Sequence, residues 1–222
     1  MLEAENIFSY QRRTAGAQGR QPQRGPGGAV GVLAPSGYGK TTLMKILAGY
    51  LQPDAGRVLV DGKPLPAKGY CPVQMVWQHP ERAVNPRLKL RKTLAEGDGI
   101  DRRLEEGLGI EEDWKGRFPQ ELSGGELQRF CIARALGRRT RYLIADEIST
   151  MLDLITQGQI WNFLMEETAR RQIGMLVVSH SRELLDYVCT RQVELKGLQG
   201  TELLKTGRQE KTNGYTGNFN AV

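Results

Sequence analysis

The chain alternates short continuous apolar runs with stretches whose apolar residues recur at helical spacing. Ala29 to Ala34 is one such run; Pro35-Ser36-Gly37-Tyr38-Gly39 follows it, and Lys40 to Ala48 then carries a helical pattern stopped by Gly49 and Pro53. This reads as strand, glycine loop and helix. Further strands are predicted at Val58 to Val60, Val73 to Trp77, Tyr142 to Ala145 and Met175 to Ser179, all apolar or β-rich runs of the kind buried on both faces. Helical patterns cover Leu127 to Leu136 and Leu154 to Arg171. Strands alternating with helices predict a mostly parallel sheet covered on both sides, the α/β class. Residues 80 to 138 hold no strand pattern and read as a helical sub-domain inserted into that sheet. Residues 11 to 28 contain no apolar residue larger than Ala, so they are expected to form a solvated loop rather than a buried strand. The segment 198–222 reads as a polar tail, and no internal repeat is present.

Composition narrows the class without changing it. At 222 residues the chain fits one large domain with a sub-domain, and 39% hydrophobic with 25% charged residues excludes a disordered or fibrous chain. No apolar run approaches the roughly 18 to 20 residues of a membrane span, and Met1-Leu2-Glu3-Ala4-Glu5 lacks the features of a signal peptide, so a soluble chain that stays in the cytosol is expected. Cys71, Cys131 and Cys189 are odd in number and form no C-x-x-C pair, which predicts buried free thiols rather than disulfides or a zinc site. The net charge of +6 would suit nucleic acid or an anionic surface, but it is spread along the chain. Arg12, Arg13, Arg20 and Arg24 lie in the 11–28 segment, where a plain flexible loop is the preferred reading over RNA contact. No nucleic-acid partner is expected.

Ala34 to Thr41 fits the relaxed form of the phosphate-binding loop, with Ala34 where the stricter pattern has Gly. Gly37 and Gly39 let backbone N–H groups turn toward one point, and the helix that follows adds its positive N-terminal end. Lys40 supplies a charge for β- and γ-phosphates, and the Thr41 hydroxyl can ligate Mg²⁺. The candidate phosphate contacts are therefore Ser36, Gly37, Tyr38, Gly39, Lys40, Thr41 and Thr42. Tyr142 to Glu147 is an apolar strand ending in two carboxylates. Successive strand residues point to opposite faces, so Asp146 and Glu147 can divide the work, one supporting Mg²⁺ and one taking a proton from water. In Leu122-Ser123-Gly124-Gly125-Glu126, Ser123 and Glu126 are spaced as a capping box that starts the next helix, and the two glycines leave bare N–H groups at its N-terminus, a second anion site.

Taken together and in this order, the loop at 34–41, LSGGELQR, and LIADE followed by Asp153 and His180 resemble the ATP-binding subunit of an ABC transporter, over the chain from about Leu2 to Leu195. Gln78-His79-Pro80, Val84-Asn85-Pro86-Arg87, Cys131 to Leu136 and Tyr142 to Glu147 are more narrowly similar to the ATPases of peptide and nickel importers. The resemblance implies the P-loop ABC ATPase fold with an N-terminal β portion. It also implies ATP and Mg²⁺ as cofactors, transmembrane permease subunits as partners with an extracytoplasmic substrate-binding protein served indirectly, and a peripheral place on the cytoplasmic face of the membrane.

Residue by residue, the same resemblance matches Tyr10 to the aromatic that stacks on adenine and Gln78 to the glutamine that contacts Mg²⁺ and the attacking water. Asp146 joins Thr41 and Gln78 around the metal, Glu147 is matched to the general base and His180 to a γ-phosphate contact. Ser123, Gly124 and Gly125 would reach the ATP bound by a second cassette in a head-to-tail pair, identical or not, and Asp153 would communicate across that pair. His79 has no matched role. Three departures stand out: residues 11 to 28 replace an apolar strand usual in the family, Ile148 stands where proline commonly follows the glutamate, and Thr150-Met151 replace small residues. The competing readings are a soluble ABC-fold ATPase of a cytosolic enzyme complex, resembling those associated with carbon-phosphorus lyase, and a cassette that binds ATP without hydrolysing it; Glu147, Gln78 and His180 together speak against the second.

Overall fold

The computed structural model describes residues 1–9, 14–19, 28–33 and 39–194, without the side chains of residues 6, 8, 9, 14–19 and 194. Among the described residues, nine strands and six α-helices form in this order: β1 (Leu2–Ser9), β2 (Thr14–Gly19), β3 (Ala29–Leu33), α1 (Lys40–Leu47), β4 (Ala55–Val60), β5 (Lys63–Pro64), β6 (Val73–Val76), α2 (Leu90–Glu96), α3 (Arg102–Gly107), α4 (Gly124–Ala135), β7 (Tyr142–Asp146), α5 (Leu154–Arg171), β8 (Gly174–Val178), α6 (Arg182–Val188) and β9 (Arg191–Glu194). Five strands make a parallel sheet in the order β6-β7-β8-β3-β9, and four make an antiparallel sheet in the order β2-β1-β4-β5.

The apolar runs are continuous because both faces of the parallel sheet are covered. Leu143 and Ala145 of β7, with Met175 and Val177 of β8, join a core with Phe130, Ile132, Ile160, Trp161, Leu164 and Leu185 from α4, α5 and α6. The alternate residues Ile144, Leu176 and Val178 face a second core built from Met44, Ile46 and Leu47 of α1 and from Ala4, Ile7, Val58 and Val60 of the antiparallel sheet. Each Val, Leu, Ile, Met or Phe side chain among these contributes about 1.5 to 3 kcal/mol on full burial. Lys40 to Ala48 and Leu154 to Arg171 fold as their spacing predicts.

The segment 11–28 departs from its expectation. Thr14–Gly19 pairs antiparallel with β1, Ala4 opposite Gly19 and Ser9 opposite Thr14, through two register irregularities. An edge strand is held by backbone bonds on one side only, so lacking large apolar side chains rules out burial but not pairing. Among the described residues, the chain between β6 and β7 contains helices and no strand. Arg103 on α3 ties this region to α5 through the buried Glu167, 3.3 Å away, which Arg170 also holds at 2.6 Å. Burial opposes the Glu167 charge, but the Arg170 and Arg103 bonds outweigh it and hold the carboxyl below its usual range.

The thiols are free, with Cys131 buried but Cys71 and Cys189 only partly so, contrary to full burial for all three. Each of the two partly exposed residues lies near the end of an element, Cys71 ahead of β6 and Cys189 as the C-cap of α6. Burial pushes the Cys131 thiol up to about 11 and that of Cys189 to about 12.

Candidate functional site

Parallel strands in register end together, and the residues just past β6, β7 and β8 meet. Val76 pairs with Ala145 and Asp146 with Val178, so Gln78, Glu147 and His180 emerge from one edge of the sheet. Gln78 Nε2 donates to Glu147 Oε2 at 3.2 Å, and His180 Nε2 lies 2.8 Å from Glu147 Oε1. Both oxygens of one carboxylate are thus engaged. His180 is half exposed whereas the Glu147 side chain is 14% exposed, so the cluster opens to solvent on the His180 side.

Glu147 reaches this position through a left-handed turn, with φ of 51°. A non-glycine residue held there costs about 1 to 3 kcal/mol, a cost characteristic of functional sites. Glu147 N–H donates to the Val178 carbonyl at 3.0 Å, the Thr150 hydroxyl donates to the Glu147 carbonyl at 3.2 Å, and Ile148 is buried in the α4–α6 core, which together hold the turn. Ile148, where proline is common in the resembled family, is thereby an apolar anchor for the turn.

Asp146, one residue earlier, points the other way, toward α1. It is 6% exposed and accepts a hydrogen bond from the Thr41 hydroxyl. Burial holds its carboxyl above the usual carboxylate range and the neighbouring Glu147 charge adds to this, while the Thr41 bond, Lys40 and Lys45 act in the opposite direction. Helix α1 begins at Lys40 because Gly39 precedes it at φ 77°, a left-handed conformation that glycine adopts without strain. Lys40 is buried, Thr41 is exposed and Thr42 is partly exposed.

Ser123, Gly124, Gly125 and Asp153 form a second group. The capping box is present: Ser123 Oγ accepts from Glu126 N–H at 3.3 Å and Glu126 Oε2 accepts from Ser123 N–H at 2.7 Å. A Cβ on Gly124 would lie 3.0 Å from Met151 Sδ, and one on Gly125 would lie 3.0 Å from Leu152 Cδ2. The glycines therefore also let the segment before Asp153 lie on the start of α4. Asp153 caps α5, accepting from Thr156 N–H at 2.9 Å, and these backbone bonds hold its carboxyl below the usual range. An Asp directly before a periodic helix is an N-cap signal, so this role was readable from the sequence. Ser123 and Asp153 make their bonds to their own helices, apart from the Glu147 cluster.

Tyr10, Ser36, Gly37 and Tyr38, with Arg12, Arg13, Arg20 and Arg24 and the tail 198–222, lie outside the described residues. Two contributors escaped the sequence reading. Lys45 adds a second cation near Asp146. Gln128 is buried and donates from Nε2 to the Trp77 carbonyl at 2.9 Å; its signal was a polar residue on the same stripe of α4 as Cys131 and Ala135. A cavity of about 300 Å³, bordered by Leu2, Gly28, Arg141, Tyr142 and Gly174, lies at the opposite, N-terminal ends of the parallel strands, away from this chemistry.

The family model described as ABC transporter matches residues 23–150, more than half of the chain. The nickel import ATP-binding protein NikE of Rhodospirillum rubrum is 34% identical over 82% of this chain and 76% of its own. A probable peptide ABC transporter ATP-binding protein of Sinorhizobium fredii is 32% identical over 71% of this chain, which spans only 50% of that relative. The metal-staphylopine import system ATP-binding protein CntF of Staphylococcus aureus is 28% identical over 96% and 92% of the two chains. Among solved structures, a dimeric ATP-binding cassette in a post-hydrolysis state bound to ADP and Pi aligns with a TM-score of 0.72 at 20% identity, over 90% of this chain and 100% of that one. A parallel sheet whose strand ends gather Gln78, Glu147 and His180 beside the start of α1, joined to this family match, leads to one conclusion: the chain belongs to the ABC transporter family.

Proposed function

We propose that the chain is the subunit that binds and hydrolyses ATP to power an importer, with peptides or nickel or other metal complexes as the cargo class of its relatives. The observation that carries the reading is the convergence of Gln78 and His180 on the Glu147 carboxylate at the strand ends beside α1. ATP would lie with its phosphates over the N-terminus of α1, where Lys40 brings a positive charge. Mg²⁺ fits the residues present: Thr41 brings a hydroxyl, Asp146 a carboxylate bonded to it and Gln78 an amide oxygen. Among the described residues no three His, Cys, Asp or Glu side chains are grouped to hold a metal ion, which suits an ion bound largely through substrate phosphates. When bound, Mg²⁺ would neutralise charge on the β- and γ-phosphate oxygens.

Glu147 takes the proton of the attacking water as its oxygen bonds the γ-phosphorus and the bond to the ADP oxygen breaks; His180 keeps the carboxylate aimed. For water to reach Oε2, Gln78 must withdraw from it. Ser123, Gly124, Gly125 and Asp153 serve a second cassette, identical or different, in a head-to-tail pair with two ATP molecules between them. Closing and reopening of that pair is passed through Gln78 and the helices between β6 and β7 to transmembrane permease subunits, which a substrate-binding protein supplies from outside. Among the described residues no helix is long and apolar enough to cross a membrane, as suits a peripheral subunit on the cytoplasmic face.

The test is to tag the chain at native level, separate membranes from cytosol and identify what co-purifies. Polytopic subunits and a binding protein are the expected companions; a soluble enzyme complex instead would replace the importer reading with the cytosolic one. Lys40→Ala should weaken ATP binding in calorimetry at least tenfold, and unchanged affinity would contradict the phosphate site.

A further inference from the structure

We infer that Gln128 is a positioning residue for Gln78, converting the placement of helix α4 into access to the Glu147 carboxylate. The side chain is 1% exposed, and its Nε2 donates at 2.9 Å to the Trp77 carbonyl. That carbonyl belongs to the peptide bond joining Trp77 to Gln78, so the plane Gln128 grips is the one from which the Gln78 side chain departs. At its other end Gln78 Nε2 donates to Glu147 Oε2. A continuous path of polar contacts therefore runs from the helix capped by Ser123, through Gln128 and the 77–78 peptide, to the carboxylate. Shifting α4 against the sheet must move this peptide or break the bond, and moving it withdraws Gln78 from Oε2 or returns it.

Packing alone does not ask for an amide at this position. Leu127, Phe130 and Cys131 already fill the apolar side of α4, and the Gln128 Oε1 is buried with no hydrogen-bond partner among the described residues. Burying an amide with half of its capacity unused is unfavourable, and leucine would avoid that. What leucine would lose is the grip on the 77–78 peptide.

The role in turnover rests on the reading of Glu147 as the base, whereas the grip on the peptide does not, and the test separates them. Gln128→Leu and Gln128→Met, each of which removes the donor, are made in the full chain and again with Gln78→Ala. Each is expected to lower kcat for ATP about tenfold, the effect of losing one well-placed hydrogen bond, with KM within about twofold. With Gln78 already removed, the second change should have no further effect on kcat. Hydrogen exchange, which needs no turnover, should show amides of the 77–79 segment exchanging about tenfold faster while the rest of α4 keeps its protection. A kcat loss that persists in full on the Gln78→Ala background, a change confined to KM, or unaltered exchange at 77–79 would each overturn the assignment. A wild-type chain that fails to hydrolyse ATP would instead refute the ATPase reading and leave exchange to decide the role of Gln128. If the leucine variant does not fold, the unbranched methionine variant supplies the same comparison.

Discussion

Replacing Glu147 by Gln tests the centre of the site with the smallest change of shape. The wild-type carboxylate accepts from Gln78 at 3.2 Å and pairs with His180 at 2.8 Å. An amide keeps one accepting oxygen, which can stay with His180, and turns an NH₂ toward Gln78, whose own amide can rotate to present its oxygen. The hydrogen bonds are therefore conserved in number, and the charge that raises the neighbouring Asp146 is removed. Losing a charge-assisted bond costs about 1.5 to 3 kcal/mol, and relief of the Asp146 repulsion offsets part of this, so stability should change by no more than about 1 to 2 kcal/mol. Catalysis should respond far more. An amide cannot take the proton of water, and loss of a general base lowers turnover by roughly 10² to 10⁴-fold, or about 2.7 to 5.4 kcal/mol of barrier. Phosphate release measures kcat, calorimetry measures ATP affinity, which should survive, and thermal unfolding measures the fold. Near-normal turnover with a folded, ATP-binding variant would remove Glu147 from the role of base, whereas loss of both binding and fold would show that its left-handed turn is chiefly structural.

Other consequences follow from the same contacts. Burial holds the Asp146 carboxyl above its usual range, so the ionised form is disfavoured by folding; Asp146→Asn should raise Tm at pH 7 while Mg²⁺-dependent hydrolysis falls, and a lower Tm would contradict the burial argument. Glu167 is held below its usual range, so its contribution is present above about pH 4.5 and is lost as pH falls through the folded value. Glu167→Gln should accordingly cost about 1 to 3 kcal/mol at pH 7, with a difference from wild type that shrinks in acid; a gap independent of pH in denaturant titrations would point to packing instead. Gly107→Ala should destabilise by about 1 to 3 kcal/mol although helix propensity alone favours Ala, because the new Cβ would lie 2.0 Å from the Phe163 ring. Adding Phe163→Leu should recover part of that loss, and strict additivity of the two changes would refute the contact.

The parallel core was legible because strands buried on both faces carry long apolar runs: Tyr142 to Ala145 and Met175 to Ser179 stand out in the sequence and fold as β7 and β8. The start of α4 was legible too, since the capping box is local chemistry between residues three apart. Strands β2 and β9 were not, because an edge strand needs backbone partners on only one side and little apolar character of its own. The helix α6 is seven residues long, below the length at which periodicity is informative.

The same division runs through the site. Which chemistries are present is written locally, because a carboxylate pair at a strand end, a Lys-Thr after a glycine turn and a serine cap before two glycines each lie in adjacent residues. It took the folded chain to set that Gln78 and His180 meet on the Glu147 carboxylate, that burial holds the Asp146 carboxyl above its usual range, and that Gln128 grips the peptide ahead of Gln78. Those contacts join residues up to 69 positions apart, as 147 − 78 shows for Glu147 and Gln78. Distance in sequence carries no information about distance in space until parallel strands in register bring their ends to one edge.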